Sequence, residues 1–338
     1  MLTKVTKKRT LMTNRFFTYI LFFLLYIHPS IITGAVSSEA LCEGGSSSEA
    51  CNSAITWEPN GGRFGDNLLS YSRAKWLSYQ FNIPVLYLPF KYSDQLMLHE
   101  QELMYTPEQM EQFDDIVRIP SIKRYQLLSD NNTLYISHWN ADVTIDWFDQ
   151  PFIEDLKKNI YPRQPLEKVI IPENCLSVAV HVRNGGGFVV DTQQEKERCP
   201  LRFVPDEFFI EQIERIMNMF PDQNIYVHIF TDHLEPIVLK RKFEKAINNP
   251  RVAFGCREQD NFHSANVLED FFSMMDFDCL IRPGSHYSRF VQRLGNNKVV
   301  IYPESFKTIN GKKIINVINI KKRKNPGERW KTKKVTIA

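Results

Sequence analysis

An apolar, β-branched run, Val178-Ala179-Val180, leads into His181-Val182-Arg183 and then Asn184-Gly185-Gly186-Gly187. A buried strand ending this way sets a fixed cation and exposed backbone N–H groups at the carboxyl edge of a sheet. In α/β folds that edge is where phosphates bind. The guanidinium of Arg183 is a rigid fork of donors, charged at any relevant pH, and suits a diphosphate better than an ammonium. Taken alone, the stretch also reads as a strand, a surface Arg and a turn.

Three other loops have residues suited to the same work. Gly61-Gly62-Arg63-Phe64-Gly65-Asp66-Asn67 opens a helix, where free N–H groups and the positive dipole end attract anions. Thr231-Asp232 closes a second strand. Ser285-His286-Tyr287-Ser288 precedes another helix and offers amides and hydroxyls. Each has a plain structural reading as well, as a glycine turn, a cap before Pro236 and an N-cap. Their occurrence in order along the chain is the stronger signal.

The elements that would carry these loops can be read from periodicity. Leu68, Leu69, Ala74, Trp76 and Leu77 recur at helical spacing, and residues 83–88 and 133–137 read as strands. In the second half, strands are expected at 176–182, 224–230, 252–254, 279–281 and 299–302. Helices are expected from Pro205-Asp206 onward and at 236–247, 267–275 and 289–294. Strands alternating with helices of this length mean a parallel, doubly wound sheet. Residues 151–174, with four prolines between Pro151 and Pro172, read as a connector between an N-terminal Rossmann-like domain (55–150) and a C-terminal one (175–320).

The ends differ from this body. Residues 1–15 hold five Lys/Arg and no acid, and residues 321–334 carry a net +7; with +3 for the whole, the part between them stands at −9. A mildly acidic body has no basic track for a phosphate backbone, which argues against nucleic acid. The basic tail, 321–338, reads as a solvated charge run. Lys4 to Arg15 precede an apolar run, Phe16–Ile27, then small residues near Gly34-Ala35. Residues 1–36 are therefore a signal peptide or a signal anchor, placing the body outside the cytosol as a secreted or lumenal protein, with the membrane as a partner only if the segment is uncleaved. Residues 37–54, rich in Ser, Gly, Glu and Ala, read as a stalk. Six cysteines fit an oxidising compartment, their spacings match no zinc pattern, and Cys42 and Cys51 could close a small loop.

In sequence order these motifs resemble those of the inverting fucosyltransferases, especially the α-1,2-fucosyltransferase family and its protein O-fucosyltransferase relatives. The glycine loop 61–67 is similar to the family's GG-x-x-GNQ, and Val178–Arg183 to its V-x-V-H-x-R. Ile229-Phe230-Thr231-Asp232 is similar to F-S-D-D, and Gly284–Ser288 to its S-S/T-F-S. The chain departs from the pattern at Asp66-Asn67, at Asn184-Gly185, at His233, and at Arg289-Phe290 where tryptophans are usual. The resemblance implies a GT-B-like fold, two Rossmann-like domains facing a cleft, and transfer of fucose from GDP-fucose, or of another nucleotide sugar, to a glycan or glycoprotein hydroxyl. No metal or other cofactor would be required. By the same resemblance Arg183 clamps the diphosphate with help from Ser285 and Ser288, and His181 positions diphosphate or ribose. Arg63 reaches the phosphates from the opposing domain, and Asp232 contacts base or ribose. Asp66 is either the general base or a helix cap. The alternative function is a degenerate relative that binds nucleotide or glycan without turnover. Residues 91–150 would shape the acceptor pocket, with Trp139-Asn140-Ala141-Asp142 a candidate lining.

Overall fold

Four consecutive residues, Ala54–Trp57 (β1), are all buried, as expected of a parallel strand paired along one side and bridged at Ile55 to Val85 on the other. The computed structural model describes residues 53–119, 132–138, 141, 143–185, 196–258, 261–309, 312–321 and 331–337. Residues 51–338 form one compact unit. The signal or anchor segment, the Cys42/Cys51 pair, Gly186-Gly187 and Trp139, Asn140 and Asp142 fall outside the described residues. Among those described, no helix is long and apolar enough to cross a membrane, and Cys175, Cys199 and Cys256 are free thiols.

Leu86–Tyr87 (β2), Leu103–Met104 (β3), Asp115–Ile119 (β4) and Thr133–Ser137 (β5) pair in parallel in two groups, β1-β5-β4 and β2-β3. A bridge from Ile55 to Val85 links the groups. The loop after β1 enters Phe64–Phe81 (α1), whose Leu68, Tyr71, Ala74 and Leu77 face the core. The 151–174 stretch is more than a connector. Gln150–Asn159 (α2) is capped by the Asp149 side chain on the Phe152 amide and buries Phe152, Ile153 and Leu156.

The second sheet runs β12-β11-β10-β9-β6-β7-β8. Its parallel part comprises Leu176–Val182 (β6), Ile225–Thr231 (β7), Val252–Cys256 (β8), Cys279–Ile281 (β9) and the start of Val299–Ile309 (β10). The order reverses between β6 and β9, which leaves a crevice at the strand carboxyl ends. Asp206–Met219 (α3), Pro236–Ile247 (α4), Val267–Asp276 (α5) and His286–Leu294 (α6) connect the strands. One difference from the sequence reading lies at the chain's end. β10 continues to Ile309, and Lys312–Lys321 (β11) and Lys331–Ile337 (β12) add antiparallel strands, so both borders of the basic run are paired backbone. The β-branched run Ile314-Ile315-Asn316-Val317-Ile318-Asn319-Ile320 has a strand-forming composition that a charge count overlooks.

One hydrophobic cluster runs through both sheets, with Phe64, Leu68 and Tyr71 of α1 in the same core as Phe271 of α5 and Phe290 of α6. The Phe64 ring meets Phe271 edge-on at 5.4 Å and Tyr287 at 6.3 Å. The amino ends of α1 and α6 are thereby packed together, and the cleft lies beside that junction.

Candidate active site

The glycine loop after β1 is shaped by two asparagines. Asn60 Oδ1 accepts from the Gly62 amide at 2.7 Å, and its Nδ2 donates to the Asp66 carbonyl at 3.0 Å and to Ser70 Oγ at 2.9 Å. Asn67 Nδ2 donates to the Gly62 carbonyl at 2.8 Å. Gly61 adopts φ +62°, a left-handed conformation that favours glycine. Arg63 occupies the N-cap position without capping the helix. Its guanidinium instead crosses to the other half and meets Asp232 Oδ2 at 3.3 Å.

From the second sheet, Asp232 organises the loop that follows β6. Its Oδ1 accepts from the amides of Asn184 (2.6 Å) and Gly185 (3.0 Å). Burial works to raise its pKa, but the two amides and Arg63 outweigh it and hold the carboxyl below its usual range. Arg183 projects from this loop, its guanidinium 5.3 Å from the Phe203 ring. His181 sits deeper. Burial, opposed by Asp232 and reinforced by Arg183 and Arg63, pushes its pKa down to about 3. The imidazole is neutral at physiological pH, and its buried Nδ1 has no hydrogen-bond partner among the described residues.

The third wall is the amino end of α6. Ser285 is the N-cap, with no side-chain capping bond, so the first-turn amides face the cleft without a cap. His286 Nδ1 lies 2.7 Å from Asp66 Oδ1, joining α6 to the first turn of α1. Burial raises the Asp66 pKa, while the hydrogen bond from His286, with Arg202 and Arg183 nearby, outweighs burial and leaves an ionised carboxylate. This approach depends on Gly65, since a Cβ there would lie 2.4 Å from the Tyr287 backbone nitrogen.

Arg63, Asp66, His181, Arg183, Asp232 and Ser285, six of the residues singled out in the sequence, thus line one cleft. Ser288 does not. It lies within the first turn of α6 on the inner face, fully buried, so its hydroxyl is directed away from the cleft. Asp66 is not the N-cap of α1, since Arg63 holds that position. Sequence reasoning missed His286, read only as a neighbour of two hydroxyl residues, and Arg202, which follows Cys199-Pro200 in no recognisable motif. It also missed the Phe262–Ala265 loop, whose Ser264 carbonyl accepts from Tyr92 Oη at 2.9 Å and closes the cleft's far end. Among the described residues no cluster of His, Cys, Asp or Glu is grouped to hold a metal ion.

No protein-family model matches the sequence, and no curated protein matches it. Solved structures do resemble the fold. FUT1 of Arabidopsis thaliana, in complex with GDP, aligns with TM-score 0.52 at 11% identity, covering 81% of this chain and 75% of that one. POFUT1 in complex with GDP-fucose gives 0.43 at 12% identity, over 75% of this chain and 97% of that one. NodZ, an alpha-1,6-fucosyltransferase solved from Bradyrhizobium and co-crystallised with GDP, gives 0.39 at 12%, over 75% and 95%. The fold is α/β and GT-B-like, with parallel, Rossmann-like sheets facing a cleft.

Proposed function

We propose that this chain is a glycosyltransferase that moves fucose from GDP-fucose to a hydroxyl of a glycan or protein. The carrying observation is the convergence of Arg183, the neutral His181 and the uncapped amino end of α6 on one cleft, beside the Asp66–His286 pair. The guanosine diphosphate held by FUT1 on the same fold supports the choice of donor.

The chemistry follows from charge. Displacement at the anomeric carbon passes through an oxocarbenium-like transition state while negative charge grows on the departing diphosphate. Groups that hold that charge more strongly than the ground state lower the barrier. Arg183 supplies the fixed cation, the α6 amides of His286 and Tyr287 add oriented dipoles, and His181 donates or accepts one neutral hydrogen bond. Arg63, tethered to Asp232, stands at the same cleft. Asp232, with three donors on its carboxylate, positions the loop that carries Arg183.

The acceptor hydroxyl must lose its proton as its oxygen bonds to the anomeric carbon and the bond to the β-phosphate oxygen breaks, GDP leaving with that electron pair. His286 Nε2 takes the proton, and Asp66, bonded to Nδ1, fixes the tautomer and stabilises the imidazolium. Asp66 thus acts through His286, and inversion at the anomeric carbon follows from a single displacement. Calorimetric titration with GDP, GDP-fucose and UDP-galactose tests the donor. The expected result is binding of both guanosine ligands at least tenfold tighter than UDP-galactose; absent or indiscriminate binding would overturn the reading.

A further inference from the structure

A second cavity, of about 1080 Å³, lies against the first. Gly62, Asp66, Arg202 and His286 line both, so the Asp66–His286 pair forms part of the wall between them. A proton acceptor must face donor and acceptor together, and this wall does.

The cavity's charge is one-sided. Five arginines line it against two aspartates. Asp66 is engaged by His286, and Asp146 lies at the exposed rim with Oδ1 accepting from the Phe148 amide. Among the described residues no carboxylate pairs with Arg282, Arg289 or Arg293. Arg282 is 3% exposed, stacked 4.1 Å over the Tyr302 ring and held by Gln292 Oε1 (2.8 and 2.6 Å) and the Pro283 carbonyl (3.0 Å). These are neutral partners, and they leave its charge uncompensated. Burial, with Arg289 and Arg293 adding repulsion, brings its pKa down to about 9, so the side chain remains a cation at neutral pH. Arg293 lies 5.2 Å over the Trp147 ring. Arg282 is buried, Arg293 half-buried and Arg289 exposed; buried or half-buried cations without counter-charges are unusual, because desolvating them is costly unless an anion arrives to share the site. Beside them Phe148 is 66% exposed, an aromatic surface suited to the apolar face of a sugar ring.

We infer that this cavity receives the acceptor and that the acceptor is an acidic glycan, its carboxylate or sulfate groups recognised by Arg282, Arg289 and Arg293. The inference rests on the donor reading of the adjoining cleft. Guanidinium forks match planar oxyanions in two-point contact, and fixed positive charge at one wall rejects neutral sugars less than it favours acidic ones.

The test titrates full-length protein saturated with GDP against three oligosaccharides: tri-galacturonate, chondroitin sulfate tetrasaccharide and neutral chitotetraose. At least one acidic ligand is expected to bind tenfold or more tighter than chitotetraose, a difference of about 1.4 kcal/mol. That preference should shrink at least fivefold in Arg289→Gln and in Arg293→Gln, shrink less in Arg289→Lys, which keeps the charge and loses the fork, and weaken with added salt. The stronger of the two acids distinguishes a carboxylate from a sulfate. Equal or tighter binding of chitotetraose, or no binding of either acid while GDP still binds, would overturn the inference and leave the donor reading standing. Failure of the wild type to bind GDP at all would instead remove that reading.

Discussion

Asp66 Oδ1 and His286 Nδ1, 220 residues apart in sequence, lie 2.7 Å from each other where the first turns of α1 and α6 meet. The carboxylate is anchored on the glycine loop and the imidazole on the opposing helix end, so the pair exists only when the two halves pack together. In Asp66→Asn the amide can still touch Nδ1 but no longer stabilises an imidazolium. Turnover is expected to fall roughly 10²- to 10³-fold, with the Kd for GDP within about threefold of wild type. Steady-state kinetics beside calorimetry checks this, and a loss confined to GDP affinity would contradict the assignment.

Gly65 is what permits that approach. A methyl group there meets backbone of Tyr287 rather than a flexible side-chain tip. Gly65→Ala should cost about 1–3 kcal/mol through overpacking, measured by urea unfolding, and should lower activity by parting Asp66 from His286. An unchanged unfolding midpoint would show that the helices have room to give.

Asp232 joins the Arg183 loop to Arg63 through three donors. Asp232→Ala leaves two amides and a guanidinium without their acceptor, an expected stability loss of about 1–3 kcal/mol. Weaker GDP binding should accompany it as the loop carrying Arg183 loosens. Retained affinity in the folded variant would show that the loop holds its shape unaided.

One buried histidine, His228, and one half-buried, His181, shape the acid side of the stability curve. Burial, with Arg257 nearby, pushes His228 down to about 3, and His181 stands equally low. The unfolded chain takes up protons near pH 6.5 that these folded imidazoles refuse, so their contribution is whole above that pH and is lost as pH falls toward 3. Asp270, raised to about 6 by burial, works the opposite way between about pH 4 and 6 but is one group against two. Urea unfolding at pH 7 and pH 5 should show a loss on acidification. That loss should be about 2 kcal/mol smaller in His228→Gln; an identical loss in the variant would contradict the assignment.

Much of this was legible in the chain because periodic, apolar segments declare themselves. Leu176–Val182, Cys279–Ile281 and Pro236–Ile247 lie where hydrophobic spacing puts them, and the loops bearing Arg63, His181, Arg183 and Asp232 follow from strand ends. What escaped depends on partners distant in sequence. β1 is four buried residues without alternation, because it is flanked on both sides. The extension by β11 and β12 is held by pairing between segments whose charge content suggests solvent. His286 has no local mark at all; its place is set by α6 meeting Gly65 and Asp66. Ser285 and Ser288 differ in surroundings that spacing does not reveal: Ser285 lines the cleft, while Ser288 is fully buried in the first turn of α6.

The central claim is that a nucleoside diphosphate sits at the loop after β6, clamped by Arg183. Its most direct test is calorimetric titration of the protein with GDP, repeated on Arg183→Ala. Micromolar binding is expected, weakening at least tenfold in the variant, about 1.4 kcal/mol. Binding of equal strength in folded wild type and variant, or no binding to the wild type, would contradict it.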